Sequence, residues 1–146
     1  MNILFFLTPK SEVAYLNKSD TIRQAIEKME YHRYSSIPLI DSLGKYIGTI
    51  TEGDVLWFIK NRAELNIHAV ENISIMEVAR KQDNRPVHAD STMEELFTKA
   101  MNQNFVPVID DKQTFIGIIT RKDILSFVYK KYCTEAVDSG QKNTDE

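Results

Sequence analysis

The sequence predicts an α/β fold made of two copies of a β-α-β-β-α unit that pack through their sheets with pseudo-two-fold symmetry. The first observation is an internal repeat: residues 37–60 laid on 106–129, an offset of 69, are identical at 10 of 24 positions. Upstream of these residues the offset becomes 71, so two residues around 32–34 have no partner in the second copy. The second observation is that each copy alternates helical periodicity with short β-branched runs. One copy alone is too small to bury an adequate core, so we expect the two to share one.

The first copy contains the elements in a readable order. An amphipathic helix begins after Asp20, its expected N-cap, and two β-branched runs separated by Ser42–Gly44 form a hairpin. The extended piece, the helix, the two strands and the start of the closing helix are expected at 13–16, 22–29, 36–41, 46–51 and Asp54.

The second copy repeats this order. Ser91 with Glu94 three residues later has the spacing of a capping box for its first helix. The corresponding elements are expected at 86–89, 93–100, 105–110, 115–120 and from Asp123 onwards.

Four segments follow along the chain. We expect the first repeat at 1–62, a connecting segment at 63–84, the second repeat at 85–133 and a polar, disordered tail at 134–146. The apolar run Ile3–Leu7 has no basic residue before it, and it fits a buried segment better than a signal peptide. The connecting segment is expected to pack on the core through Ile67, Val70, Ile73, Ile75, Met76 and Val78.

Composition excludes several classes of function. The chain has 146 residues, with 18 basic and 21 acidic side chains and a net charge of −3, which argues against nucleic-acid and membrane partners. Cys133 is the one cysteine, and the three histidines are far apart in sequence, so no metal site is expected. No apolar run approaches the roughly 18 residues of a membrane span. These features predict a soluble, cytoplasmic protein.

Two motifs occur once in each copy. An apolar-Pro-apolar strand lies in Ile37–Asp41 and Val106–Asp110, and a Gly-x-apolar-Thr-x-x-Asp turn lies in Gly48–Asp54 and Gly117–Asp123. With these motifs at this spacing, the chain over residues 8–132 resembles the cystathionine-β-synthase (CBS) domain family. The resemblance implies a stand-alone Bateman module, in which two CBS domains pair and adenosine-containing ligands bind in the clefts between them. It also implies a homodimer in which four domains form a disc.

The motif residues suit a nucleotide chemically. A carboxylate can accept hydrogen bonds from both cis hydroxyls of a ribose, so Asp54 and Asp123 are the candidates for that role. Thr51 and Thr120 offer hydroxyls at a helix start, where the dipole and free N–H groups favour a phosphate. The resemblance places the adenine contacts just before each strand proline and just after each motif glycine. These further candidates are Ser36, Ile37, Thr49, Asn104, Phe105, Val106 and Ile118.

The two turns differ in charge. Glu52 and Gly53 lie inside the first Thr-x-x-Asp, whereas Arg121 and Lys122 lie inside the second. Cations favour a phosphate and Arg121 can bind one bidentately, so the second cleft is expected to accept phosphorylated ligands better. The competing interpretation is that Thr-x-x-Asp at a helix start is a capping box and nothing more.

The sequence contains no nucleophile–base pair and no Walker-type phosphate loop, so an enzyme is not expected. The predicted function is regulatory: the module binds an adenine nucleotide and signals to an unidentified protein partner by a change of shape, without a permanent cofactor. Candidate ligands are AMP, ADP, ATP, S-adenosylmethionine, NAD and cyclic di-AMP. The alternative is a structural homodimerisation module with empty clefts. Tyr31–Tyr34, on the unmatched insertion, is expected to serve surface packing; the alternative is that it lines a ligand cleft or a dimer face.

Overall fold

The computed structural model describes residues 1–142 of the chain, with side chains described as far as Cys133. Seven strands and four α-helices form the described part. The strands are β1 Thr8–Pro9, β2 Leu16–Asn17, β3 Ser36–Ile40, β4 Tyr46–Thr51, β5 Val87–His88, β6 Phe105–Ile109 and β7 Phe115–Thr120. The helices are α1 Ile22–His32, α2 Glu52–Ala63, α3 Met93–Ala100 and α4 Arg121–Lys142.

The predicted repeat is confirmed at the level of strand register. In each repeat two long strands form an antiparallel hairpin, β3–β4 or β6–β7, and a short strand runs parallel to the first of them. The strand prolines face matching partners, Pro38 opposite Thr49 and Pro107 opposite Ile118. Even the register shift near the end of the first hairpin strand recurs in both copies. The α/β class with two paired units is therefore the observed fold.

The helix starts differ from prediction by one residue. Thr21 caps α1 in a reciprocal box with Gln24, and Thr92 caps α3 by accepting a hydrogen bond from the Glu95 N–H. The expected caps Asp20 and Ser91 are wrong. The Asp20 carboxylate instead accepts from the Asn17 N–H at 2.9 Å and from the Lys28 ammonium at 3.0 Å.

The two sheets meet in a small apolar layer. Ile40 from the first sheet packs with Phe105, Phe115 and Ile118 from the second. Tyr46 adds a stacked ring contact to Phe115, with 6.4 Å between the ring centroids. Each repeat has its own core on the helical side of its sheet, and the connecting segment contributes Val70, Ile75 and Val78 to the first.

The N-terminal segment crosses to the second repeat. Strand β1 adds to the outer edge of β7, and Ile3 and Phe6 are buried in the core of the second repeat. Gly117 permits this approach, because a Cβ there would collide with the Thr8 carbonyl oxygen. The first residues of the chain therefore tie the second repeat down, although the sequence boundaries grouped them with the first.

The C-terminal helix is longer than expected. Helix α4 continues to Lys142, into the segment 134–146 that was expected to be disordered, and residues 143–146 lie outside the described residues. No proline interrupts this stretch, so nothing in its backbone stops the helix. Among the described residues no helix is long and apolar enough to cross a membrane.

Candidate functional site

Each Thr-x-x-Asp turn lies where a hairpin ends and a helix begins. The Thr51 hydroxyl accepts a hydrogen bond from the Asp54 N–H at 3.0 Å, and the Thr120 hydroxyl accepts from the Asp123 N–H at 3.1 Å. In the first repeat the carboxylate of Asp54 also accepts from the Thr51 N–H at 3.1 Å, which completes a capping box. The first turn therefore forms the capping box that the competing interpretation expects.

The two motif carboxylates are in different states. Asp54 is 8% exposed, and its second oxygen accepts a hydrogen bond from the Lys81 N–H at 3.2 Å. Asp123 is exposed, and within the described residues its carboxylate accepts no hydrogen bond. Within the described residues, Asp123 alone of the pair has both carboxylate oxygens without a hydrogen-bond donor.

An open cavity lies between the repeats beside Thr120. We call it the Thr120 cleft; its volume is about 200 Å³, and both repeats contribute to its wall. The predicted residues Ser36, Asn104, Phe105, Ile118 and Thr120 all line it. Asp123 stands one helical turn beyond Thr120, at the start of α4.

Two residues of the wall were assigned to surface packing from the sequence. Arg33 and Tyr34 line the Thr120 cleft together with Ser35 and Pro38. Arg33 ends α1 in the left-handed conformation, with φ 59°, which turns the chain towards the cleft. The sequence signal was available, since these residues belong to the insertion that the second copy lacks.

A hydrogen bond joins the repeats across the mouth of this cleft. The Asn104 side-chain amide donates to the Ser36 hydroxyl at 2.8 Å. The backbone carbonyl of Asn104 accepts a hydrogen bond from the backbone N–H of Arg121 at 2.9 Å. Asn104 therefore links the wall of the first repeat to the first turn of α4.

The predicted basic residues stand beside the cleft. A second cavity of about 530 Å³ shares Asn104 with the Thr120 cleft and is lined by Arg121, Lys122 and Tyr129. Arg121 uses its Nε to donate to the Ala100 carbonyl at 2.7 Å, so only its two terminal nitrogens remain for an anion. Lys122 is exposed and has no partner within the described residues.

At the pseudo-symmetric position the connecting segment bonds to both repeats. We call this position the Thr51 cleft; the segment bonds there to Thr49 and Asp54 of the first repeat and to Gln103 and Phe105 of the second. Thr49 is 1% exposed, and its N–H donates to the Asp83 carboxylate at 2.9 Å. The Asn84 N–H donates to the Thr49 hydroxyl at 3.2 Å. The connecting segment thus contacts the polar groups of the cleft that was expected to hold a nucleoside-like or weakly charged ligand, or to be empty.

Two predicted residues lie elsewhere. The side chains of Ile37 and Val106 are fully buried, each in the core of its own repeat, and neither lines the Thr120 cleft. A strand that alternates its faces sends these residues to the helical side of the sheet.

The helix pairs leave apolar grooves on the outside of the module. A groove of about 450 Å³ runs between α1 and α2, and one of about 370 Å³ runs between α3 and α4. Several large apolar side chains on these helices are exposed, among them Leu56, Met101, Leu125 and Val128.

Comparison with known proteins agrees with the fold and the motifs. The family model described as the CBS domain matches residues 6–61 and 70–130. The cyclic di-AMP receptor B of Bacillus subtilis is 24% identical over 125 residues, which are 86% of this chain and 84% of the receptor. The crystal structure of CbpB in complex with c-di-AMP matches with a TM-score of 0.80 at 25% identity, covering 94% of this chain and 91% of that one.

Longer proteins also contain the module. The inosine-5'-monophosphate dehydrogenase of Methanocaldococcus jannaschii is 28% identical over 127 residues, which are 87% of this chain and 23% of the enzyme. Of two further curated relatives this chain spans 19% and 49%. Because the family model matches both repeats over most of the chain, the protein belongs to the CBS domain family.

Proposed function

We propose that this protein is a regulatory module that binds an adenine nucleotide in the Thr120 cleft. The observation that carries the proposal is a cavity whose wall comes from both repeats and includes Thr120. The exposed carboxylate of Asp123, three residues further along in the first turn of α4, does not line this cavity but accepts no hydrogen bond within the described residues. The receptor and the CbpB complex named above, which bind cyclic di-AMP, support this class of ligand.

Each part of the ligand has a partner of suitable chemistry. Asp123 accepts from the ribose hydroxyls, while Lys122 and the free nitrogens of Arg121 attract phosphate. The Thr120 hydroxyl and the N-terminus of α4 add a donor and a favourable dipole. Pro38, Phe105 and Ile118 provide apolar wall for the base.

The signal arises from the position of the ligand between the repeats. A nucleotide that contacts both Tyr34 and Thr120 favours the relative orientation in which both contacts form. It shifts the population of orientations only by its difference in affinity between them. A protein partner that reads this orientation then senses the nucleotide.

A thermal-shift screen against AMP, ADP, ATP, S-adenosylmethionine, NAD and cyclic di-AMP tests the proposal. A ligand at a hundred times its dissociation constant adds about 2.7 kcal/mol of stability. For a domain of this size the Tm rises by roughly 5–10 °C. No shift with any of the six ligands contradicts the proposal.

The exposed grooves favour a second function, which the first does not exclude. We propose that the α1/α2 and α3/α4 faces pair two copies of the chain into a homodimer, because exposed Leu56, Met101 and Leu125 lie on them. Light scattering of wild type and of Leu125→Asp tests this. A monomeric wild type, or an unaffected dimer in the variant, contradicts it. A dimer that binds none of the six ligands leaves the structural role as the function.

A further inference from the structure

The connecting segment takes up the polar groups of the Thr51 cleft that a nucleotide needs. The Lys81 N–H donates a hydrogen bond to an Asp54 carboxylate oxygen at 3.2 Å, in the place of a ribose hydroxyl. The Asp83 carboxylate accepts a hydrogen bond from the Thr49 N–H at 2.9 Å. The Asn84 side-chain amide donates to the Phe105 carbonyl at 3.1 Å, as an exocyclic amine of a base would.

Both repeats hold this segment in place. On the first repeat, the half-buried Tyr46 hydroxyl donates to the Asn84 carbonyl at 2.6 Å. On the second, the Gln103 amide accepts from the Arg85 N–H at 2.8 Å and donates to the Arg85 carbonyl at 3.1 Å. Since the Tyr46 proton is directed to Asn84, the Thr49 hydroxyl must donate in its 2.6 Å contact with Tyr46. The segment is therefore part of a hydrogen-bonded, partly buried network.

The segment lies directly against strand β4 at Gly48, and the open cavity next to it, of about 530 Å³, is lined by Asp54, Arg80 and Lys81. A Cβ at Gly48 would lie 2.5 Å from Asp83 Oδ1 and 2.6 Å from Arg80 Nε. The Arg80–Asp83 ion pair, 2.8 Å between Nε and Oδ1, therefore rests directly on strand β4. Only glycine allows so close an approach.

The matching segment before the first repeat behaves differently. The offset of 71 pairs Asn84 with Val13, which is buried and packs on Phe105 and Ile118. Valine has an apolar side chain and cannot compete for the groups of the Thr120 cleft. The same position therefore places a hydrogen-bonding amide at one cleft and, in the other repeat, a buried apolar side chain that does not line the Thr120 cleft.

Charge separates the clefts in the same direction. The Thr51 cleft gathers the carboxylates of Asp54 and Asp83, and Glu52 lies in its turn. Like charges disfavour a phosphate there, and Arg80 is already paired with Asp83.

We infer that segment 80–85 is a built-in occupant of the Thr51 cleft, and that Asp83 and Asn84 decide that the chain binds one nucleotide, in the Thr120 cleft. The count of one rests on the proposed function; the occupancy of the Thr51 cleft by the chain itself does not.

Hydrogen–deuterium exchange of the wild-type chain tests the occupancy. The amides of Thr49 and Lys81 are expected to be protected without nucleotide and equally protected with saturating AMP or cyclic di-AMP. Exchange at the rate of an open loop, or loss of protection when nucleotide is added, overturns the inference. This readout needs no binding and no variant.

Isothermal titration with AMP and with cyclic di-AMP tests the count. We expect one site per chain in wild type and in the control Asp90→Ala, which changes an exposed residue outside the segment. The double variant Asp83→Ala/Asn84→Ala is expected to gain a second AMP site. Two sites in wild type, or binding lost in Asp54→Ala and kept in Asp123→Ala, overturn the inference while the proposed function stands. If none of the titrations shows a heat of binding, the result contradicts the proposed function. The exchange data alone then decide whether the segment occupies the Thr51 cleft.

Discussion

Of the matched substitutions, Asp54→Ala is expected to lower mainly the stability of the fold, and Asp123→Ala mainly the affinity for nucleotide. Both residues are the third residue of a helix and both belong to the same motif, so their intrinsic helix effects are nearly equal. They differ in what their carboxylates accept. Asp54 accepts from the N–H groups of Thr51 and Lys81, whereas Asp123 accepts from none within the described residues.

The magnitudes follow from these contacts. Alanine at position 54 leaves two partly buried N–H groups without an acceptor, at about 1–3 kcal/mol for a lost buried partner and about 1 kcal/mol for the capping box. We expect a loss of about 2–4 kcal/mol, or roughly 5–15 °C in Tm. Alanine at position 123 removes an exposed carboxylate near a helix N-terminus, which costs about 0.5 kcal/mol.

Binding is expected to show the reverse order. Asp123→Ala weakens binding of the adenine nucleotide by about 1–3 kcal/mol, which raises the Kd roughly 5- to 150-fold. Asp54→Ala leaves the Kd within a factor of about two of wild type, since its carboxylate faces the connecting segment.

Urea unfolding and isothermal titration on the same preparations measure both effects. Asp111→Ala, in the exposed hairpin turn of the second repeat, is the control and is expected to match wild type in both. Equal stability losses in the two variants, or a larger loss of affinity in Asp54→Ala, would refute the reasoning that the connecting segment has engaged Asp54.

Four further predictions concern Tyr46, Gly117 and Lys122. Tyr46→Phe is expected to cost about 1–3 kcal/mol in urea unfolding, because the Asn84 carbonyl loses its 2.6 Å donor; a loss below about 0.5 kcal/mol contradicts this. Burial raises the pKa of Tyr46, so the folded state retains the proton that the unfolded chain releases near pH 10; stability is full below that pH and falls above it, and a pH series of unfolding should show a smaller fall in Tyr46→Phe. Gly117→Ala pushes strand β1 away from β7, because the new Cβ meets the Thr8 carbonyl; we expect at least about 2 kcal/mol of destabilisation by thermal unfolding, and a neutral substitution would show that β1 does not pair there. Lys122→Ala is expected to weaken binding of a phosphorylated ligand about 2- to 5-fold at low salt and less at about 0.5 M salt, as measured by titration at the two salt concentrations. An effect that salt does not change would argue against a charge interaction.

Much of the fold was open to prediction because its signals are local. Helical spacing, strand prolines and glycine-marked turns depend on neighbours within a few residues, and each occurs twice, so an error in one copy is checked by the other. The hairpin strand Tyr46–Thr51 was predicted with the bounds it has in the structure. The helix caps were displaced by one residue, because Asp20 and Thr21 are both good caps and only the ion pair of Asp20 with Lys28 settles the choice.

The sequence by itself determined the chemistry of the two turns: a threonine and an aspartate in each, with acid beside one and base beside the other. Only the tertiary structure decided which aspartate is free. The Lys81 N–H that engages Asp54 lies 27 residues further along the chain, and the crossing of Ile3 and Phe6 to the second core spans more than 80 residues. Contacts over that sequence distance depend on how the two similar repeats pack against each other. Identical local motifs do not determine this packing. The same Thr-x-x-Asp pattern therefore closes a capping box under a packed segment in one repeat and stands open beside a cavity in the other.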